Sequence, residues 1–214
     1  EPQYAELLVK EGRADLIAFG RQSIADPELP NRARTGHLEE MMPCIGCLLG
    51  CVPNMFAGKP VSCAVNPCVG RETEITPAEV KKKVVVVGGG PAGLYAAALC
   101  AKKGHEVILL EKGAEPGGSF RTASFPTGKG QISAAIRAMI VRCEKAGVDI
   151  RLNTEVNEEM LKELHADVII LATGSTPLIL PIPGLKESGY VTAQEMLLGR
   201  AEPGKKVLIA GGGM

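Results

Sequence analysis

The fold is decided by the stretch Lys83-Val-Val-Val-Val-Gly88-Gly-Gly90-Pro-Ala-Gly93. Its run of valines predicts a buried strand, which the glycines and proline end. An apolar run over Ala92–Lys103 predicts a helix, and Glu106–Leu110 predicts a second strand. Because a strand, a helix and a strand in this order form a βαβ unit, we expect an α/β fold with a parallel sheet.

The spacing Gly88-x-Gly90-x-x-Gly93 is typical of a loop that binds the phosphates of a dinucleotide, rather than of a purely structural turn. Gly88 permits the tight turn, Gly90 lets the backbone approach a pyrophosphate, and Gly93 lets the helix pack on the strand. The helix N-terminus adds unpaired N–H groups and a positive dipole. Glu111 ends the second strand, where a carboxylate binds ribose hydroxyls and repels the 2′-phosphate of NADP. The loop therefore suits FAD or NAD.

Further elements are predicted on both sides of this unit. Apolar residues recur at helical spacing between Ile132 and Cys143, which indicates an amphipathic helix. The remaining predicted elements are helices at Tyr4–Glu11 and Leu29–Arg34, and strands at Leu16–Phe19, Val148–Leu152, Val168–Leu171 and 206–210.

Four cysteines precede the βαβ unit, at Cys44, Cys47, Cys51 and Cys63, with two, three and eleven residues between them. Thiolates are soft ligands, and four of them indicate an iron–sulfur cluster or zinc. The spacing favours the cluster, because structural zinc sites usually consist of two Cys-x-x-Cys pairs. Unligated thiols are the third interpretation, and Cys68 competes with Cys63 for the fourth ligand position.

The composition argues against several classes of function. Basic and acidic residues balance at 24 each and aromatic residues make up 3%, so nothing indicates nucleic-acid binding. The uncharged run Val84–Ala101 contains the glycine turn and is too short for a membrane span. An odd number of cysteines, in groups, favours a reducing cytoplasm. A second glycine turn at 211–213 lacks its helix, so we expect a piece of a longer protein.

In this order, the motifs resemble the multi-cofactor branch of the old yellow enzyme family, which includes 2,4-dienoyl-CoA reductase, 2-enoate reductase and trimethylamine dehydrogenase. Members join an FMN-carrying (β/α)8 barrel, a [4Fe–4S] segment and an FAD domain with an inserted NAD(P)H domain. The resemblance covers essentially the whole chain. It implies the last strand and helices of the barrel at 1–40, the iron–sulfur segment at 41–78, an incomplete Rossmann-like FAD domain at 79–203 and the start of the NAD(P)H domain at 204–214.

The resemblance also implies roles for single residues. Gly20 and Arg21 match the FMN-phosphate turn after the last barrel strand, although an arginine there also suits a plain surface position. The run Cys63-Ala-Val-Asn-Pro67 matches the family's fourth cluster ligand and favours Cys63 over Cys68. The implied FAD contacts are Gly88, Gly90, Pro91, Ala92, Gly93, Glu111, Lys112, Gly118, Val156, Ala172, Thr173 and Gly174.

The function that the resemblance implies belongs to the parent protein. Electrons pass from a nicotinamide cofactor through FAD and the cluster to FMN, which reduces an activated C=C bond of an enoate or enoyl-CoA substrate. Two alternatives stay open, amine oxidation of the trimethylamine dehydrogenase type and a non-catalytic electron-transfer module. No acid or base is assigned, because the family's acid residues lie in the missing barrel. Ser119 departs from the glutamine that often follows the second Gly-Gly pair.

Overall fold

The computed structural model describes residues 2–212. Its helices are α1 (Pro2–Lys10), α2 (Gly20–Ala25), α3 (Leu29–Thr35), α4 (Val52–Phe56), α5 (Pro91–Lys102), α6 (Gly118–Ala123), α7 (Gly130–Lys145), α8 (Glu158–Glu163) and α9 (Ala193–Leu197), with single 3₁₀ turns at Leu38–Glu40 and Glu72–Glu74. Its strands are β1 (Lys83–Val87), β2 (Glu106–Leu110), β3 (Asp149–Arg151) and β4 (Val168–Leu171). No helix in this part of the chain has both the length and the apolar character needed to cross a membrane.

The four strands form one parallel sheet in the order β3-β2-β1-β4. In its register Val85 lies between Ile108 of β2 and Ile169 of β4. Helix α5 connects β1 to β2, as the βαβ pattern predicts, and the order on either side of β1 is that of a doubly wound dinucleotide fold. The predicted α/β class with a parallel sheet is therefore confirmed.

The two faces of the sheet are buried by different helices, because successive strand residues point to opposite sides. Val84 and Val86 face the main core, which includes Leu94 of α5 and Met139 of α7. The alternate residues, with Val85 among them, pack against the helix α8 in a smaller cluster. This alternation explains why an uninterrupted valine run forms a central strand.

The cysteine-rich segment contributes side chains to this same main core. Met42 and Val65 are almost completely buried in it, together with Ala25 from α2. Cys44 and Cys63 pack against its edge. Residues before position 79 are therefore held against the sheet by shared apolar packing, in addition to the covalent connection of the backbone.

A buried ionic cluster reinforces the same junction. Asp26, 2% exposed, accepts hydrogen bonds from the backbone N–H of Met42 at 2.9 Å and from Arg142 of α7 at 2.8 Å. Its carboxylate also accepts one from Arg32 at 3.2 Å. Burial lowers the pKa of the Arg142 guanidinium, and the charge of Asp26 opposes that shift. These bonds connect α2, the start of the cysteine-rich segment and α7.

Two predicted strands are absent from the described residues. Leu16–Phe19 is not part of any sheet, and Leu16 is 90% exposed, so the prediction of a buried strand there is wrong. Residues 206–210 likewise form no strand, and Leu208 is 95% exposed. An apolar segment needs a hydrogen-bonding neighbour to become a strand, and within residues 2–212 neither segment has one. The predicted second glycine turn at 211–213 lies partly outside the described residues, because Gly213 is not among them.

Candidate cofactor sites

The glycine loop follows β1 and leads into α5, as its spacing predicts. Gly88 has φ of 107°, and a Cβ there would lie under 3.0 Å from the carbonyl oxygen of Ala172, which follows β4. A Cβ on Gly93 would meet the Gly88 carbonyl oxygen just as closely. A Cβ on Gly90, in contrast, would have no neighbour within 4 Å. Gly88 and Gly93 are therefore required by the fold, whereas Gly90 leaves an open approach to the backbone.

Glu111 holds the loop through its carboxylate. One oxygen accepts a hydrogen bond from the Gly89 N–H and the other from the Gly113 N–H, both at 2.6 Å. Each carboxylate oxygen has a second lone pair, so the side chain still has capacity to accept bonds from ribose hydroxyls. Lys112, the next residue, is exposed.

A second loop, residues 113–118, lies beside the glycine loop. The Gly117 N–H donates to the Gly89 carbonyl at 2.8 Å, and a Cβ on Gly118 would lie 3.2 Å from Gly90 Cα. The Thr154 N–H donates to the Glu111 carbonyl at 2.9 Å, which brings the segment leading to Val156 to this edge of the sheet. The Val156 side chain itself packs against the smaller core cluster.

Ala172, Thr173 and Gly174 follow β4 and complete this group. The Ala172 N–H donates to the Val87 carbonyl at 2.8 Å, while Thr173 and Gly174 are exposed. The predicted residues from 88–93, 111–118 and 172–174 thus meet at the carboxyl ends of β1, β2 and β4. In doubly wound sheets this edge is where nucleotides bind.

The four predicted cysteine ligands line a single cavity. Cys44, Cys47, Cys51 and Cys63 share its wall, and Cys68 is not among the lining residues. None of the seven cysteines of the chain forms a disulfide bond. This placement favours Cys63 over Cys68 as the fourth member of the set.

Close packing of two loops brings Cys51 and Cys63 to the same cavity. The Ser62 N–H donates to the Gly50 carbonyl at 3.0 Å, and a Cβ on Gly50 would lie under 3.0 Å from Ser62. Gly46 and Leu48 both have positive φ, at 68° and 57°, around Cys47. A non-glycine residue in this region is strained, and such strain concentrates at functional sites.

The spacing of the sulfur atoms argues against a preformed site for one ion. Within residues 2–212, no three cysteine sulfurs lie within 4.8 Å of one another. A tetrahedral zinc ion with bonds of about 2.3 Å would hold its sulfurs about 3.8 Å apart. The group that does meet the 4.8 Å limit is His37, Glu39 and Glu40, and Lys145 already pairs with both carboxylates.

Asn66 is a structural residue that the sequence pattern did not single out. Its amide nitrogen donates to the Ile24 carbonyl at 2.9 Å, and its oxygen accepts bonds from the Cys68 N–H at 3.2 Å and the Tyr95 hydroxyl at 3.4 Å. Its backbone pairs with Cys63 in an isolated bridge. Asn66 therefore connects α2, the cysteine-rich segment and α5. Its position in the run after Cys63 was the available signal.

Gly20 and Arg21 form the exposed start of α2. Arg21 lines the cysteine cavity. The same helix carries Gln22, whose side chain accepts a bond from the Cys44 N–H at 2.9 Å and donates to the Met42 carbonyl at 2.8 Å. The predicted contact of Gly20 and Arg21 with an FMN phosphate stays a prediction.

Comparison with known proteins places the chain in a family. Residues 82–214 match the family of pyridine nucleotide-disulphide oxidoreductases. The chain is 43% identical to a protein named NADH oxidase from Thermoanaerobacter brockii, over 100% of the chain and 34% of that protein. It is 38% identical to a cinnamate reductase from Clostridium sporogenes, over 100% of the chain and 32% of that protein.

A solved structure gives the same result. The fold is similar to a 2-naphthoyl-CoA reductase in complex with 2-naphthoyl-CoA, with a TM-score of 0.90 and 35% identity, over 95% of this chain and 32% of that one. The chain spans about a third of the length of the curated relatives it matches. It therefore belongs to the pyridine nucleotide-disulphide oxidoreductase family, in the branch of enoate and dienoyl-CoA reductase type.

Proposed function

We propose that the chain is the cofactor-binding part of an NAD(P)H-dependent flavin and iron–sulfur oxidoreductase. The observation that carries this proposal is the joint packing of two sites. Val65, which lines the cysteine cavity, lies in the same core as Leu94 of the helix that begins at the glycine loop. A cluster and a flavin bound at these sites would be held in a fixed geometry, as electron transfer between them requires.

The residues fit the proposed groups in chemical type. FAD would be held by the glycine loop, Glu111, the 113–118 loop and the turn at 172–174, where backbone N–H groups and a carboxylate match phosphates and ribose. Four cysteine thiols on one cavity, none of them in a disulfide, match the ligand set of a [4Fe–4S] cluster. Arg21 would bind the phosphate of FMN by charge-assisted bonds.

Bound there, the cofactors would supply electron transfer from a nicotinamide through FAD and a [4Fe–4S] cluster to FMN, for the reduction of an activated C=C bond by two electrons and two protons. The chain's own contribution is binding and orientation. Gly50 allows the loop carrying Cys51 to approach Ser62, and Gln22 fixes the backbone at Cys44. The acid that protonates substrate would lie outside this chain.

We propose an enoate or enoyl-CoA thioester as the substrate class. The similar proteins include a cinnamate reductase at 38% identity and an N,N-dimethylglycine/sarcosine dehydrogenase at 34%, so the higher identity favours reduction over amine oxidation. That none of the seven cysteines forms a disulfide also supports a reducing compartment such as the cytoplasm. The division into parts at 1–40, 41–78, 79–203 and 204–214 remains a proposal as well.

The test is a cofactor analysis of the protein expressed anaerobically from its complete gene. We expect about four irons and four sulfides per chain, one FAD and one FMN, and NAD(P)H-dependent reduction of an α,β-unsaturated carboxylate or its CoA thioester. The variant C63S should lose iron and sulfide, whereas C68S should retain them. One zinc per chain without sulfide, or equal iron in both variants, would refute the cluster assignment.

Two glycine variants test the FAD site separately. G90A should fold and lose affinity for FAD, because its Cβ meets no protein atom but would stand where the pyrophosphate approaches. G93A should fail to fold, because its Cβ overlaps the Gly88 carbonyl. Retention of full FAD affinity by a folded G90A protein would contradict the assigned role of the loop.

A further inference from the structure

We propose that a second cavity, separate from both cofactor sites, binds a small carboxylate with an apolar body. The cavity lies between α5, α7 and the start of the cysteine-rich segment and has a volume of about 330 Å³. None of the described residues that line it lines the cysteine cavity or is among the predicted FAD contacts. Ligand pockets commonly enclose about 300–1,000 Å³, and a water-sized group takes about 30 Å³, so about ten non-hydrogen groups fit here.

One side of this cavity is apolar. Helix α5 contributes Leu94 and Leu99, α7 contributes Met139, and Met42 and Ile75 lie on the facing segment. Leu99 and Ile75 are half-buried, so part of their apolar surface remains in contact with water. A hydrocarbon body in the cavity would remove that surface from water, which is favourable, and methionine side chains adapt to ligands of irregular shape.

The other side of the cavity is polar and carries one positive charge in excess. The charged lining residues are Arg32, Lys102, Arg142, Lys145 and Glu40. Each of these cations except Lys102 is paired with Asp26, Glu39 or Glu40, so three cations and three acids balance. Lys102 is exposed and pairs with no acid within residues 2–212. The wall is therefore complementary to a ligand with a single negative charge.

Arg142 also has a donor that is free to bind a ligand. Its Nε donates to the Glu40 carbonyl at 2.9 Å and its Nη2 to Asp26 at 2.8 Å, and no bond within residues 2–212 involves Nη1. No buried side-chain nitrogen or oxygen of the described residues lacks a hydrogen-bond partner, so Nη1 is in contact with solvent. Burial raises the pKa of the Tyr95 hydroxyl in the same wall, so this group stays neutral and does not repel an anion. A carboxylate can therefore accept a charge-assisted bond from Arg142 and pair with Lys102.

The test is a titration of the complete, cofactor-loaded protein with sodium octanoate, read by isothermal titration calorimetry, with 1-octanol as the uncharged probe of the same length. Hydrogen–deuterium exchange locates the site, since bound octanoate should slow exchange in peptides covering 94–102 and 139–146. The variant K102E reverses the unpaired charge, and A98L enlarges a side chain of the cavity wall. K129E is the matched control for K102E, because Lys129 is also exposed, forms no ion pair within residues 2–212 and does not line the cavity.

We expect K102E to weaken octanoate binding about fourfold to 25-fold, because one exposed charge contributes about twofold to fivefold and the reversal changes the charge by two. Octanol binding should not change in K102E, K129E should bind both probes as the wild-type protein does, and A98L should weaken the binding of both.

No binding of octanoate, or binding that protects neither group of peptides, would overturn the proposal. Equal affinity for octanoate in K102E and K129E would also overturn it, because the charge at the cavity would then not be recognised. Octanoate bound at a substrate site elsewhere in the protein would give this same refuting result. If A98L does not fold, the exchange pattern and K102E decide the outcome.

Discussion

Asp26 provides the sharpest test of how the cysteine-rich segment is attached to the sheet. The variant D26N keeps the size of the side chain and removes the charge that Arg32 and Arg142 share. Removing one partner of a buried ion pair costs about 3–5 kcal/mol. Opening of residues 26–42 away from α7 should therefore become about 150-fold to 4000-fold more frequent.

Hydrogen–deuterium exchange read by mass spectrometry measures this opening in the complete protein. Peptides covering 26–42 should exchange faster in D26N by the stated factor, while peptides from α8 should not change. The control is D149N, because Asp149 and Arg151 form an exposed pair on one strand, where loss of the charge costs about 0–1 kcal/mol. If D26N accelerates exchange no more than D149N does, the buried cluster does not hold the junction.

Three further outcomes are expected. Lys145 lowers the pKa of Glu39 from 4.5 to about 2. This carboxylate therefore contributes to stability above pH 4.5, and the contribution is lost as the pH falls towards 2. In K145M, the melting temperature should fall less steeply between pH 4.5 and pH 2 than it does in the wild-type protein. Burial raises the pKa of the Cys143 thiol to about 12, so iodoacetamide should modify the exposed Cys47 of cluster-free protein at least about tenfold faster, as peptide mapping would show. The variant N66L leaves buried partners unpaired at a cost of about 2 kcal/mol, so its melting temperature should fall by about 4–8 °C, and an unchanged value would contradict the connecting role.

The sheet could be predicted closely because its signals are local. Glu106–Leu110 and Val168–Leu171 are strands with the predicted bounds, and α5 differs from its prediction by one residue at each end. A run of β-branched and aliphatic residues next to a glycine turn is typical of a buried strand and fits few other kinds of secondary structure. The glycine spacing and the strand-end glutamate are local signals as well, and they predict a candidate dinucleotide site at the carboxyl ends of these strands.

The predictions that were wrong or incomplete depend on interactions between distant parts of the chain. Leu16–Phe19 has the composition of a strand, but composition does not reveal whether a neighbouring strand exists. The sequence predicts a turn at Gly20, where the structure has the start of α2. The bonds that fix this helix come from the distant residues Met42, Cys44 and Asn66. Asp26 and Arg142 are separated by more than half the chain, so no spacing rule brings them together.

The burial of Met42 and Val65 limits how a protein of this kind can exchange segments during evolution. Each lies two residues from a candidate cysteine ligand, yet each is buried among residues of the sheet and its helices. Recombination that transferred residues 41–78 alone to another flavoprotein would expose these two side chains and separate Met42 from Asp26, which accepts a hydrogen bond from its backbone N–H. The cysteine-rich segment therefore cannot be transferred to another protein as an independent unit. It would have to be exchanged together with the dinucleotide domain, whose side chains cover Met42 and Val65.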